Sequence, residues 1–179
     1  MNRTRWLFLS GVILAAAASR VLPHPPNFTP IGAMALFGGA YFGNRFAAFA
    51  VPLAALFLSD LVVGLHSGIP IVYLCFAATV CIGLRLRSRD SLRRVAVASF
   101  GSAVLFYLVT NFAVWLGGHG KLYPLTLEGL AACYIAALPF FRNMILGNLV
   151  YAAVLFGGWV WAERRFAILR APEQAGQRA

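Results

Sequence analysis

A thiol, an imidazole and a phenol fall close together in the stretch from His66 through Tyr73 to Cys75. The segment Gly64-Leu65-His66-Ser67-Gly68-Ile69-Pro70 reads as a polar turn feeding an apolar helix, with Cys75 about a turn and a half inside it. A thiolate is a soft metal ligand, and with imidazoles nearby it can bind the metal centre of a cofactor without forming a closed site. An inert, buried small residue is the competing reading of Cys75.

Other chemistries find no support. Three cysteines, without a CxxC or a Cys/His array, make neither a disulfide framework nor a zinc signature. There is no GxSxG, no HExxH and no P-loop, so neither those hydrolases nor ATP-driven transport by this chain alone is encoded. The acids are too few and scattered for a proton relay. What remains is a binding site with a thiol, a few amides and aromatic walls (Tyr73, Phe76, Tyr107, Trp115, Tyr123 and Tyr134), suited to a large, flat, partly polar ligand.

The elements that must hold these groups are membrane spans. The 179 residues are 61% hydrophobic and 11% charged, with mean hydropathy +0.79, against roughly 25% charged in soluble domains. Long apolar runs exclude an outer-membrane barrel, whose segments of about 10 residues alternate polar and apolar. The expected fold is a single all-α integral membrane domain of six helices, spanning about 5–19, 31–43, 46–64, 70–84, 95–116 and 143–162, with an outer-face helix over about 125–138. The first run resembles a signal peptide but, with spans following it, reads as an uncleaved helix. Gly11, Ala15 and Ser19 put small residues on one of its faces, for internal packing or for docking a partner.

Net charge +10 is spread in short clusters between apolar runs, the pattern of topology signals rather than of nucleic-acid binding. With both termini inside, the inner side holds Arg3, Arg5, Arg45, Arg85, Arg87, Arg89, Arg93, Arg94, Arg164, Arg165, Arg170 and Arg178, and the outer side only Arg20, Lys121 and Arg142. Twelve against three satisfies the positive-inside bias. The proline-rich loop 20–30, the His66 turn and the 117–142 segment then face outward.

Candidate ligand contacts gather on that side. His24 and Asn27 lie in the loop, stiffened by four prolines. Asp60, Asn111 and Asn143 lie near the outer ends of their spans, and Tyr123 in the polar stretch before the short helix. Asp60 fits two readings, a paired functional charge at membrane depth or an interfacial cap. Cys81 lies about 9 Å deeper than Cys75, six residues further along a helix, and reads as a small packing residue.

The block Ser19-Arg20-Val21-Leu22-Pro23-His24-Pro25-Pro26-Asn27-Phe28-Thr29-Pro30, continuing to Tyr41, resembles a family of small bacterial transport proteins. So do Ser59-Asp60-Leu61, Val72-Tyr73 with Phe76, Thr110-Asn111-Phe112, Tyr123-Pro124 with Thr126, and Ala137 to Asn143. These stretches are similar to the substrate-binding S-components of energy-coupling-factor vitamin transporters, over about residues 10–160. Within that group the chain resembles the BtuM family of cobalamin transporters. The resemblance implies an inner-membrane uptake protein, not an enzyme, with six helices and a vitamin bound under outer loops. It further implies base-off cobalamin with a cysteine thiolate as axial cobalt ligand and, as a side reaction, removal of an upper cyanide. Cys75 fits that position by depth, Cys81 less well, and His24 is the next residue placed near the ligand. S-components dock on a transmembrane subunit with two ATPases, whereas BtuM-type proteins resemble solitary members. A different vitamin or precursor, a membrane thiol oxidoreductase and a purely structural subunit are the competing readings.

Overall fold

The computed structural model describes residues 3–86 and 91–170. Among these residues it is all-helical: α1 Arg3–Ala18, α2 Ile31–Tyr41, α3 Arg45–Val63, α4 Ile69–Gly83, α5 Leu92–Gly117 and α6 Leu127–Arg165, with short 3-10 turns at Ser19–Val21 and Ala167–Leu169. Local chemistry sets the starts. Asn44 accepts a hydrogen bond from the Phe46 N–H, Ser91 from Arg94 and Thr126 from Gly129, each satisfying an orphan donor of a first turn. Pro70 stands in the first turn of α4, where no N–H is needed.

Successive helices run in alternating directions. Arg20, after α1, meets Asp60 near the end of α3, and Tyr73 near the start of α4 meets the same carboxylate. At the other end Arg5 pairs with Glu163, and Trp6 packs edge-on against Phe42. One end of the bundle therefore carries Arg3, Arg5, Arg45, Arg85, Arg93, Arg94, Arg164, Arg165 and Arg170, and the other Arg20, Lys121 and Arg142. Arg87, Arg89 and Arg178 of the inner count lie outside the described residues.

Among the described residues four helices are long and apolar enough to cross a membrane: α1 with the turn after it, α3, α5 and α6. The 11-residue α2 and 15-residue α4 are shorter than the roughly 20 residues of a full span. The shortness of α2 is tolerable because it is enclosed: all of its residues except Ala40 are buried, and backbone at membrane depth needs only protein around it. An all-round apolar helix belongs in such a core.

Small residues let the other helices reach it. A Cβ on Gly39 would stand 2.5 Å from the Val80 carbonyl oxygen, and one on Gly83 would strike the Leu36 backbone, so α2 and α4 touch main chain to main chain. Phe37 and Tyr41 of α2 pack against Phe156 and Trp159 of α6, while Leu9, Ile13 and Ala17 close the core from α1.

Three expectations change. The outer-face helix and the last span are one 39-residue helix running through Pro139. At about 1.5 Å per residue it is close to 58 Å long, nearly twice the hydrocarbon thickness. Proline removes one ladder bond, but Tyr107 and Tyr134 tie α6 to α5 before it and Asn148 does so after it. Cys81 is exposed rather than a packing residue. The small face of α1 is used internally only at its end: Gly11 and Ala15 are exposed and nothing lies within 4 Å of a Cβ at Gly11, while the half-buried Ser19 donates to Tyr151 Oη of α6 at 3.3 Å.

Candidate functional site

The proline-rich loop is a strap across one end of the bundle. Its first anchor is electrostatic. Arg20 Nη1 donates to Asp60 Oδ1 at 2.6 Å and also to Ser59 Oγ, and Tyr73 Oη donates to Asp60 Oδ2 at 2.9 Å. Both carboxylate oxygens are thus engaged by the protein, which makes Asp60 a clamp between three segments rather than a group offered to a ligand.

The second anchor is a stripe of α6. Asn143 Nδ2 donates to the Pro26 carbonyl at 3.0 Å. Four residues on, the strap backbone at Phe28 and Thr29 lies so close to Gly147 that a Cβ there would be 3.0–3.2 Å away. Four further, the Tyr151 ring lies 5.9 Å from that of Phe28. Four-residue spacing puts all three on one helix face. Between the anchors, Asn27 takes a left-handed φ of 62° and the Phe28 N–H donates to the Pro25 carbonyl. A short polar residue tolerates that conformation.

Beside the strap, between α5 and α6, lies a cleft of about 90 Å³ lined by Asn27, Phe106, Tyr107, Thr110, Asn111, Ala137, Phe140, Phe141 and Met144. Its walls are stiff. Tyr107 stacks on Phe141 at 4.4 Å and donates to the Tyr134 carbonyl, while Tyr134 donates to the Leu108 carbonyl. Thr110 and Asn111 each donate to a carbonyl one turn back. The cleft is an aromatic slot with polar groups at its mouth, the general character of a small-molecule site. Its volume corresponds to about three waters.

The expected site residues divide accordingly. Asn27 and Asn111 line the cleft, and Asn143 holds the strap over it. Asp60 and Tyr73 belong to the clamp. His24 is exposed, its Nδ1 2.6 Å from the Leu22 carbonyl oxygen. Tyr123 is half-buried and is not on the cleft wall. Cys75 is 2% exposed and also off that wall, although its neighbour Phe76 packs at 5.3 Å on Phe106, which is on it. His66 turns its Nδ1 back to the Gly68 N–H. Among the described residues no three His, Cys, Asp or Glu side chains gather as a metal site.

Sequence reasoning missed Phe140, Phe141 and Met144 as wall residues and Asn148 as a core polar group. Asn148 is 1% exposed and donates 3.3 Å bonds to the Ser99 carbonyl and Ser102 Oγ, with its amide over Gly32. An amide in an apolar run, directly after the glycine that faces the strap, was the available signal.

These features define an all-α protein with helices long and apolar enough to cross a membrane. The chain belongs to DUF6580, a family of unknown function, whose pattern matches residues 1–173. No curated protein and no solved structure matches it.

Proposed function

We propose that the chain is a small-molecule uptake protein of the S-component type, taking a vitamin-class ligand at the strap end of the bundle. The observation that carries this reading is the strap beside the aromatic cleft, anchored at Arg20 and at the Asn143–Tyr151 stripe, with Asn27 contributing to both strap and cleft. By the distribution of basic residues, the strap end faces outward from a bacterial inner membrane and both termini are cytoplasmic. Energy coupling comes either from a separate ATPase module or from none.

The particular ligand that the sequence resemblance suggests is cobalamin, bound base-off with the Cys75 thiolate on cobalt and with decyanation as a side reaction. A corrinoid is far larger than a 90 Å³ cleft, so this ligand requires the strap to leave α6 and α4 to part from α5 until Cys75 is reached. A second ligand reading, another vitamin or precursor held by Asn27, Tyr107 and Asn111, is favoured by the burial of Cys75. A thiol oxidoreductase fits less well. All three cysteines are free, and Cys75 and Cys81 stand about 9 Å apart along one helix, beyond the 4.4–6.8 Å Cα separation of roughly all disulfides.

The deciding experiment is the visible absorption spectrum of purified protein after growth with cobalamin, wild type beside Cys75→Ala. A bound, base-off corrinoid whose spectrum reverts in the variant establishes substrate and ligand together. Colourless protein that fails to bind added cobalamin eliminates cobalamin. A vitamin panel scored by thermal shift, with Asn111→Ala as the loss-of-binding variant, then tests the wider reading.

A further inference from the structure

The cleft beside the strap has a chemical polarity as well as a shape. The nine residues that line it include no Asp, Glu, Lys, Arg or His. Arg142, next to the wall residue Phe141, is exposed and does not line it. A carboxylate or phosphate inside would lose its water with no cation to replace it, and burying an unpaired charge is costly.

The neutral polar groups of the wall have already committed their hydrogens. A hydroxyl has one hydrogen to give, and a backbone carbonyl can only accept. Thr110 spends its hydrogen on the Phe106 carbonyl at 2.7 Å, and Tyr107 spends its own on the Tyr134 carbonyl at 2.7 Å. Asn111 gives one Nδ2 hydrogen to the Tyr107 carbonyl at 2.8 Å, a partner that fixes which end of the amide faces it. Thr110 Oγ, Tyr107 Oη and Asn111 Oδ1 keep their lone pairs. Among the described residues no donor meets any of the three. Back-bonding within a helix is a local habit that explains Thr110 by itself. The Tyr107 bond crosses to α6, so the polarity is not the habit of one residue type.

The α5 wall is therefore rich in acceptors, with one Asn111 N–H left over. At the strap, Asn27 adds an amide that both donates and accepts. The remaining walls are aromatic: Tyr107 and Phe141 lie stacked with their planes 24° apart, and Phe106 and Phe140 stand with them. Such faces favour a flat ring and attract positive charge. We propose that the cleft selects a flat nitrogen heterocycle that carries an exocyclic amino group and no negative charge. Its amino hydrogens go to Asn111 Oδ1 and Thr110 Oγ, and Asn27 meets a ring edge that offers both a donor and an acceptor. This inference rests on the reading of the cleft as a ligand seat and narrows the ligand to molecules that contain such a ring.

The test is a ligand-observed NMR titration of the full chain in detergent with three probes of one shape: 4-aminopyrimidine, 4-methylpyrimidine and pyrimidine-4-carboxylate. The amino probe is expected to bind about tenfold more tightly than the methyl probe, from two hydrogen bonds of ordinary strength, and the carboxylate most weakly. Thr110→Val keeps the side-chain shape and removes one acceptor, so the amino preference should shrink to about threefold while methyl-probe affinity stays unchanged. Asn111→Leu should act in the same direction and carries the test where Thr110→Val fails to fold. Equal affinity for the amino and methyl probes, tightest binding by the carboxylate, or an undiminished preference in both variants overturns this inference and leaves the uptake reading standing. Silence of all three probes overturns it too, and with the vitamin panel also silent the uptake reading falls with it.

Discussion

Arg20 and Asp60 form an ion pair at 2.6 Å with side chains only 12% and 7% exposed, joining the end of α1 to the end of α3. Tyr73 closes the group from α4. Removing one partner of a buried pair strands the other charge and costs about 3–5 kcal/mol, whereas an apolar replacement of both is often neutral. Asp60→Ala should therefore lower the melting temperature in detergent sharply, and Arg20→Met/Asp60→Leu should recover most of it. An Asp60→Ala protein as stable as wild type would show that the pair is incidental.

The strap should loosen without unfolding the bundle. Asn143→Ala removes the bond to the Pro26 carbonyl, a loss of about 1 kcal/mol. Hydrogen exchange at the strap amides, including Phe28, is expected to accelerate while amides of α2 keep their protection. Gly147→Ala, whose Cβ would press on the strap backbone, should act in the same direction.

Glycines should differ by what surrounds them. Gly39→Ala pushes a methyl group into the Val80 carbonyl, and overpacking of this kind costs about 1–3 kcal/mol or more. Gly11→Ala meets nothing within 4 Å and should be neutral, or stabilising by roughly 0.5–1 kcal/mol through helix propensity. Chemical or thermal unfolding of the two variants side by side measures the contrast.

Cysteine substitutions separate the ligand readings. If cobalamin is the ligand, Cys75→Ala should change the corrinoid spectrum and Cys81→Ala should not, because Cys81 is exposed on the outside of the bundle. A spectrum insensitive to both moves the ligand to the Asn111 cleft and away from any thiol.

Orientation is measurable in intact cells. In a cysteine-free background, Lys121→Cys should react with a membrane-impermeant maleimide from outside, and Arg165→Cys only after lysis. The reverse pattern would invert the topology.

Composition and run length were enough to read the helices. Apolar segments broken by Pro, Gly, Asn and Arg mark α1 to α5 to within a few residues, because a chain in lipid must satisfy its backbone within each segment. The charge bias was equally legible, since it depends only on which loops share an end. Pro139 misled for the same local reason: a proline breaks one hydrogen bond, but contacts from α5 decide whether the helix continues across it.

What the sequence by itself determined is the material: an apolar all-α chain, basic at one end, with a stiff polar strap and a small stock of thiols, amides and one acid in its third helix. Tertiary structure decided their employment. Asp60 became a clamp because the fold brought Arg20 and Tyr73 to its two oxygens, and Asn143 became an anchor because Pro26 crosses above it. Cys75 was sealed in the core while Cys81, on the same helix, faced outward. These outcomes turn on helix rotation and long-range approach, which residue spacing alone does not encode.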